Sequence, residues 1–285
     1  MTASRVSFSL PLSLPEVARL QVSVERCALV VMGVGPKEAP SLEVRGRHCS
    51  PQQIRLGTRR RRDSDVLSVD VDEDEGVIDE LILRVPFDAE VWIESEVGPV
   101  SVRDLHGCYL SIESEVGPVE LARVTGHLHV STEFGPVRGD AVGGHLQIET
   151  EVGPISLQVN SLEMGNHHVQ SEVGPISIEL AAGMLVSVRA ESEHGPVDVS
   201  YPAMQHAATR LHLESELGPV HVGVWQGAPA PPPPPQHAPE PGPSTAQAAP
   251  SQGQRDEVER ILTMVQDGVL TATEANELLH TIEQG

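Results

Sequence analysis

The chain of 285 residues is almost without aromatic side chains: three Phe, two Tyr and two Trp make up 2% of it. Globular cores commonly draw bulk from such rings, so their scarcity points to thin layers filled by Val, Ile and Leu. Trp92 and Trp225 lie near the two ends of the patterned region and suit either end caps or ordinary packing. Cysteine is equally sparse. Cys27, Cys49 and Cys108 are an odd, scattered set with no CxxC spacing, which indicates neither a disulfide framework nor a zinc site. Positive charge is short as well, with 19 Lys and Arg against 41 Asp and Glu and a net charge of −22. Affinity for a phosphate backbone comes largely from Lys and Arg, so cationic partners are expected and nucleic acid is not. The run Arg59 to Arg62 is a local exception that reads as a solvated loop or hairpin tip paired with nearby acid. No stretch reaches 18 uninterrupted apolar residues and no basic segment precedes an apolar run at the start, so no transmembrane segment or signal peptide is expected. The expected location is cytoplasmic, with peripheral association to the envelope left open.

What the chain does have is repetition. Seven near-copies of one heptad occur: ESEVGPV at 94–100 and 113–119, STEFGPV at 131–137, ETEVGPI at 149–155, QSEVGPI at 170–176, ESEHGPV at 191–197 and ESELGPV at 214–220. Their glycines, Gly98, Gly117, Gly135, Gly153, Gly174, Gly195 and Gly218, are separated by 19, 18, 18, 21, 21 and 23 residues. A strand-like unit of this length cannot bury a face alone and must stack on its neighbours. The expected fold is therefore mainly β, a single-stranded β-solenoid (β-helix-like) of about 20-residue rungs.

The two-residue period of a strand divides each rung into columns. Apolar residues recur seven, five and one positions before the glycine and two after it, and these four columns are expected to form the core. His167 and His194 fall within them. The Gly-Pro pair marks a corner, because Pro removes a ladder donor and Gly tolerates backbone that Cβ forbids. The sequences TGH (125–127), GGH (143–145) and AAGM (181–184) mark a second corner. Three positions before the glycine stand Ser95, Ser114, Thr132, Thr150, Ser171, Ser192 and Ser215, hydroxyls suited to bonding the turn backbone or each other. No base accompanies them, so a row of nucleophiles is not expected.

Two positions before the glycine the outward column is glutamate without exception: Glu96, Glu115, Glu133, Glu151, Glu172, Glu193 and Glu216. Stacked about 4.8 Å apart, neighbouring carboxylates repel by roughly 1 kcal/mol even in bulk water. A solvated face that keeps sheet edges apart is one reading. The other is a polyanionic stripe for divalent cations or for a basic peptide or protein. His129, His168 and His212, six before the glycine, are not expected in adjacent rungs, so no shared metal site is expected; neither is any cofactor.

Along the chain, residues 1–90 read as an N-terminal cap with irregular β rungs, 91–225 as the regular array, 226–253 as a Pro-rich disordered linker, and 254–285 as a small helical hairpin. The hairpin places Ile261, Leu262, Val265, Leu278, Leu279 and Ile282 on apolar faces. Helices this short are marginal alone, which makes these residues candidates for partner binding or homo-oligomerisation.

The repeat array resembles the bacterial "putative adhesin" family of β-strand repeats over roughly residues 20–225, although many members have Gly-Asp where this chain has Gly-Pro. The tail EVERILTMVQDGVLTATEANELLHTIEQ is similar to the SHOCT-like hairpin found with this domain in LiaX-type and YvlB-type proteins. The resemblance implies a non-enzymatic protein, linked in some members to envelope stress and to sensing cationic peptides. From the residues, the leading expectation is a scaffold or interaction module presenting an acidic stripe. The alternatives are a polysaccharide-active β-helix enzyme and a self-assembling filament.

Overall fold

The computed structural model describes residues 5–14, 18–61, 64–72, 77–202, 204 and 206–225. The expected linker and helical hairpin, with Ile261, Leu262, Val265, Leu278, Leu279 and Ile282, lie outside the described residues. By contact the chain divides into Met1–Ala228 and Pro229–Gly285, and all the described residues belong to the first unit.

Those residues are mainly β, with twenty strands in one hydrogen-bonded network and a short 3-10 turn at Pro51–Gln53. Each motif ends one strand, and a second strand begins after its proline. Glu90–Val97 pairs in parallel with His106–Val116, which pairs with Thr125–Phe134 and then with the end of Val137–Val152. The second strands follow the same order: Val100–Arg103, Val119–Ala122, the start of Val137–Val152, Ile155–Leu162 and Ile176–Ala181. Equivalent positions face each other, as in Leu110↔Leu128, Ile112↔Val130 and Val119↔Val137.

Two departures from sequential stacking occur. At the far end, Gly165–Val173 pairs with Thr209–Leu217 rather than with Val186–His194, which lies beyond it. The last rung in sequence is thus inserted between the two before it. At the near end, Arg19–Val24 lies between Glu90–Val97 and Ser64–Val71, all parallel, and Ala28–Val34 lies between Val100–Arg103 and Val77–Pro86. Antiparallel strands finish this end: Ile54–Arg61 on Ser64–Val71, and Ser41–Arg47 with Arg5–Pro11 on Val77–Pro86. Arg59 of the arginine run is an ion-pair partner of Asp70 across the first of these hairpins.

Three of the four expected core columns are buried through the interior rungs, among them Ile93, Ile112, Val130 and Ile148 five before the glycine and Val100, Val119 and Val137 two after it. Leu105, Val124 and Val142 close the core at the second corner, where Asp104, Arg123 and Ala141 have positive φ near 55–60°. Trp92 stacks on Tyr109 with ring centroids 5.5 Å apart. Its strand is flanked on both sides, so of the two expected roles, end cap or ordinary packing, it has the second.

The column one before the glycine is the clear correction. Val97, Val116, Phe134, Val152, Val173 and Leu217 are 39–50% exposed, and His194 is exposed as well. Simple alternation fails because the corner starts a residue early, leaving the glutamate and the residue after it both facing out. The backbone pairing confirms this, passing from Ser114↔Ser95 to Val116↔Val97 without a partner assignment for the glutamates between.

The corners stack closely. The Gly117 N–H donates to the carbonyl of Phe134, and the residue after the proline, Val119, donates to the carbonyl of Pro136, both at 2.9 Å. A Cβ added to Gly135 would lie 2.0 Å from the carbonyl oxygen of Gly117 and 2.7 Å from its carbon, at φ +156°. Both are backbone atoms that cannot move aside alone. Gly135→Ala is therefore expected to lower the urea unfolding free energy by about 3 kcal/mol or more. Gly35→Ala, where an added Cβ meets nothing within 4 Å, should change it by less than ~0.5 kcal/mol. Equal midpoints for the two variants would refute the corner contact.

Candidate functional site: an acidic face bordered by an apolar ladder

All seven glutamates two before the glycine are exposed. Because the flanking pairs hold register, they form one column in the spatial order Glu96, Glu115, Glu133, Glu151, Glu172, Glu216, Glu193. Among the described residues none of the seven has an ion-pair partner. Elsewhere the few arginines are spent on acids: Arg19 on Glu90, Arg45 on Glu43 and Glu80, Arg84 on Glu43, Arg55 on Asp72, and Arg123 on Asp104. The Arg123 guanidinium, at 2.6 and 3.0 Å, holds the Asp104 carboxyl below its usual range.

A parallel column four before the glycine adds Glu94, Glu113, Glu149, Glu214 and Glu191, interrupted by Ser131 and Gln170. Here neighbouring groups do respond. Gln21 donates to Glu94 at 3.0 Å, Gln147 donates to Glu149 at 3.1 Å, and Arg189 pairs with Glu191. Between the two columns a cleft of about 490 Å³ crosses the first three motif rungs, lined by Glu94, Glu96, Glu113, Glu115 and Glu133 with His129.

The inward hydroxyls divide into two sets. Ser171, Ser215 and Ser192 donate to the corner carbonyls of Gly153, Gly174 and Gly218 at 3.2, 3.2 and 2.9 Å. Ser95, Ser114, Thr132 and Thr150 are buried and have no hydrogen-bond partner. The expected bond to the turn backbone thus forms in three rungs.

On the other side of the glutamates runs the exposed apolar column, in register as Val97↔Val116↔Phe134↔Val152↔Val173↔Leu217. Sequence reasoning placed it in the core. The signal that could have found it is the Gly-Pro corner itself, since a corner can end the alternation before its glycine. The site is therefore a stripe of unpaired carboxylates edged by a stripe of apolar side chains.

The histidines are also regrouped. The inserted rung puts His168 opposite His212, with ring centroids 5.4 Å apart, which rungs in sequence order would not do. Among the described residues no group of three His, Cys, Asp or Glu is placed to hold a metal ion, and no helix is long and apolar enough to cross a membrane. Cys108 is buried, and that burial raises its thiol pKa to about 11, which keeps it protonated and poorly nucleophilic.

His167 is buried in its column as expected, whereas His194 lies on the exposed outer rung. The Leu146 N–H donates to Nδ1 of His167 at 3.2 Å, and Nε2 lies 2.9 Å from the carbonyl oxygen of Glu163. The first bond requires a lone pair on Nδ1, so Nε2 carries the hydrogen and the ring is neutral. Burial lowers its pKa from the ordinary 6.5, and His145, with its ring centroid 5.2 Å away, adds to this.

No family model matches the chain, and no curated protein matches it. Similar solved structures include a "putative cell adhesion protein" from Clostridium sporogenes, 8% identical with a TM-score of 0.31, covering 78% of this chain and 100% of that one. A "putative adhesin" from Bacteroides fragilis is 8% identical with a TM-score of 0.36, covering 77% of this chain and 97% of its own. A "putative adhesin" from Parabacteroides merdae is 11% identical with a TM-score of 0.33, covering 78% and 97%.

The depressed pKa of His167 has a definite sign in stability. Its contribution is complete above the unfolded value near 6.5 and declines as pH falls from there toward the folded value. His167→Leu matches the neighbouring Leu211 and removes this titration. It also deprives the Leu146 N–H of its acceptor, a loss of about 1–3 kcal/mol at neutral pH. Chemical denaturation between pH 7.5 and 5 should show the gap between the two proteins narrowing as pH falls. A constant gap would contradict the assignment.

Proposed function

We propose that this chain is a non-enzymatic, adhesin-like interaction module, a β-solenoid whose acidic face receives a cationic partner with apolar side chains of its own. The observation that carries the proposal is the pairing of two exposed columns, one of unpaired carboxylates over seven rungs and one of Val, Phe and Leu over six of them. Like charges directly opposite across strands are destabilising. The chain keeps seven of them aligned and supplies no arginine to the column, although arginines neutralise acids elsewhere in the fold. A purely solvated face has no need of the adjoining apolar ladder, which leaves large hydrophobic side chains in water.

A complementary partner is basic and amphipathic. A helix laid along the stacking axis advances 5.4 Å per turn, close to the ~4.8 Å between rungs. It can therefore present an apolar residue and a Lys or Arg to successive rungs. Charge would set the encounter rate, and the apolar contacts would set much of the residence time. Hydrolysis of a polysaccharide is the weaker reading, because it needs two carboxyl groups held in unlike environments. The seven motif glutamates share one kind of exposed surrounding.

Binding of a synthetic amphipathic Leu/Lys helix, followed by fluorescence anisotropy at several salt concentrations, tests the proposal. Replacing Glu115, Glu133 and Glu151 together by Gln should weaken binding by about tenfold or more and flatten its salt dependence. Phe134→Ser should weaken it while leaving the salt slope unchanged. Wild-type affinity equal to that of the triple variant would reject the acidic face as the site.

A further inference from the structure

The two ends of the array are finished differently. At the near end the parallel strands are covered by antiparallel ones, and the outer hairpin carries the ion pairs Arg55–Asp72 and Arg59–Asp70. Charged side chains of this kind keep an edge from pairing further. The far end has no such cover among the described residues. Its outer rung consists of Val186–His194 and Val197–Val199, each paired on one side only, with Thr209–Leu217 and Val220–Trp225.

Val186 at the start of this rung is buried at 1%, but the side chains after it occupy the same columns as the rest without being enclosed. Val197 and Val199 are 42% and 40% exposed, whereas Val220 and Val222 beside them are 1% and 0%. Val188 and Ala190 are half-buried, whereas Leu211 and Leu213 beside them are buried. The end therefore has the cross-section of an interior rung with one neighbour missing. Among its described residues, the connection after Val199 reaches the start of the strand, where the buried Tyr201 hydroxyl bonds to the carbonyls of Ala181 and Met184 at 3.1 and 2.9 Å and the Met204 N–H donates to the carbonyl of Val186 at 2.9 Å.

We propose that this edge pairs with the same edge of a second copy, antiparallel about a two-fold axis through Ala190. The order of charges on the strand carries the choice of occupant. About that axis Arg189 of each copy faces Glu191 of the other on the outward side, while Val188 faces Ser192 on the core side. The strand is thus complementary to itself in charge, and an isologous two-fold contact closes after two copies. Arg189 already reaches Glu191 of its own strand, so both groups are in place at the outward surface. Such pairing completes the half-open core columns and gives the outer strand a second set of backbone hydrogen bonds. The two-fold turns the second copy's glutamate column to the opposite end of the paired strands, with Glu193 of each copy facing Ser187 of the other, so the pairing does not depend on the function assigned to the acidic face.

Sedimentation velocity of the full chain over a range of concentrations tests it. The wild type is expected to dimerise. Arg189→Glu turns both cross-axis pairs into like charges and should raise the dimer Kd by about tenfold or more. R189E/E191R restores complementarity and should return the dimer, while the R189E monomer keeps the wild-type circular dichroism and, at concentrations below dimerisation, the wild-type melting temperature. E115Q/E133Q, on the acidic face away from this edge, should dimerise as the wild type does. A wild type monomeric at every concentration overturns the proposal. So does an oligomer indifferent to R189E, as self-association through residues 254–285 would give, or a failure of the double exchange to restore pairing.

Discussion

The structure depends on how closely successive glycine corners approach. A Cβ on any of the seven corner glycines would fall 2.0–2.4 Å from a backbone carbonyl oxygen of the preceding corner, that of Cys27 in the first rung and of a motif glycine in the others. Only hydrogen fits there. This contact, with the hydrogen bonds that step around each proline, holds every rung in the same register as its neighbour. A shift of a single residue would turn the core columns outward. Register then dictates everything beside the corner: valine on valine inside, glutamate on glutamate outside, and the last apolar residue of each strand on its equivalent in the next.

That repetition explains both the core and the burden on the surface. The core needs few aromatic rings because each layer is only one rung thick, and Val, Ile and Leu from both strands fill it. The same in-register stacking aligns seven carboxylates and six large apolar side chains where water can reach them. Neither alignment helps the fold. The arginines that do stabilise acids lie mostly toward the near end, where irregular strands bring opposite charges together.

Much of the architecture was legible in the sequence. The heptad spacing located every motif strand, the Gly-Pro pairs located the corners, and the two-residue period identified three core columns and the outward glutamates. Val97, Phe134 and Leu217 were misread because period-two counting assumes a straight strand, and a corner interrupts it. The end-cap reading of Trp92 fails because the strands of residues 19–34 and 64–86, which carry no heptad, nevertheless extend the array beyond it. The pairing of His168 with His212 was hidden by the inserted final rung.

Local chemistry by itself determined the rung: which residues turn, which alternate and which carry charge. Those properties follow from backbone sterics and strand periodicity within some twenty residues, so they are written in each copy. The order in which rungs stack, the identity of the outer edge and the exposure of the residue before each glycine were decided only by tertiary structure. Copies so alike carry nearly the same pairing surface, and sequence adjacency alone does not say which copy meets which. The choice falls to the connections and end strands, whose contacts span from about forty to seventy residues.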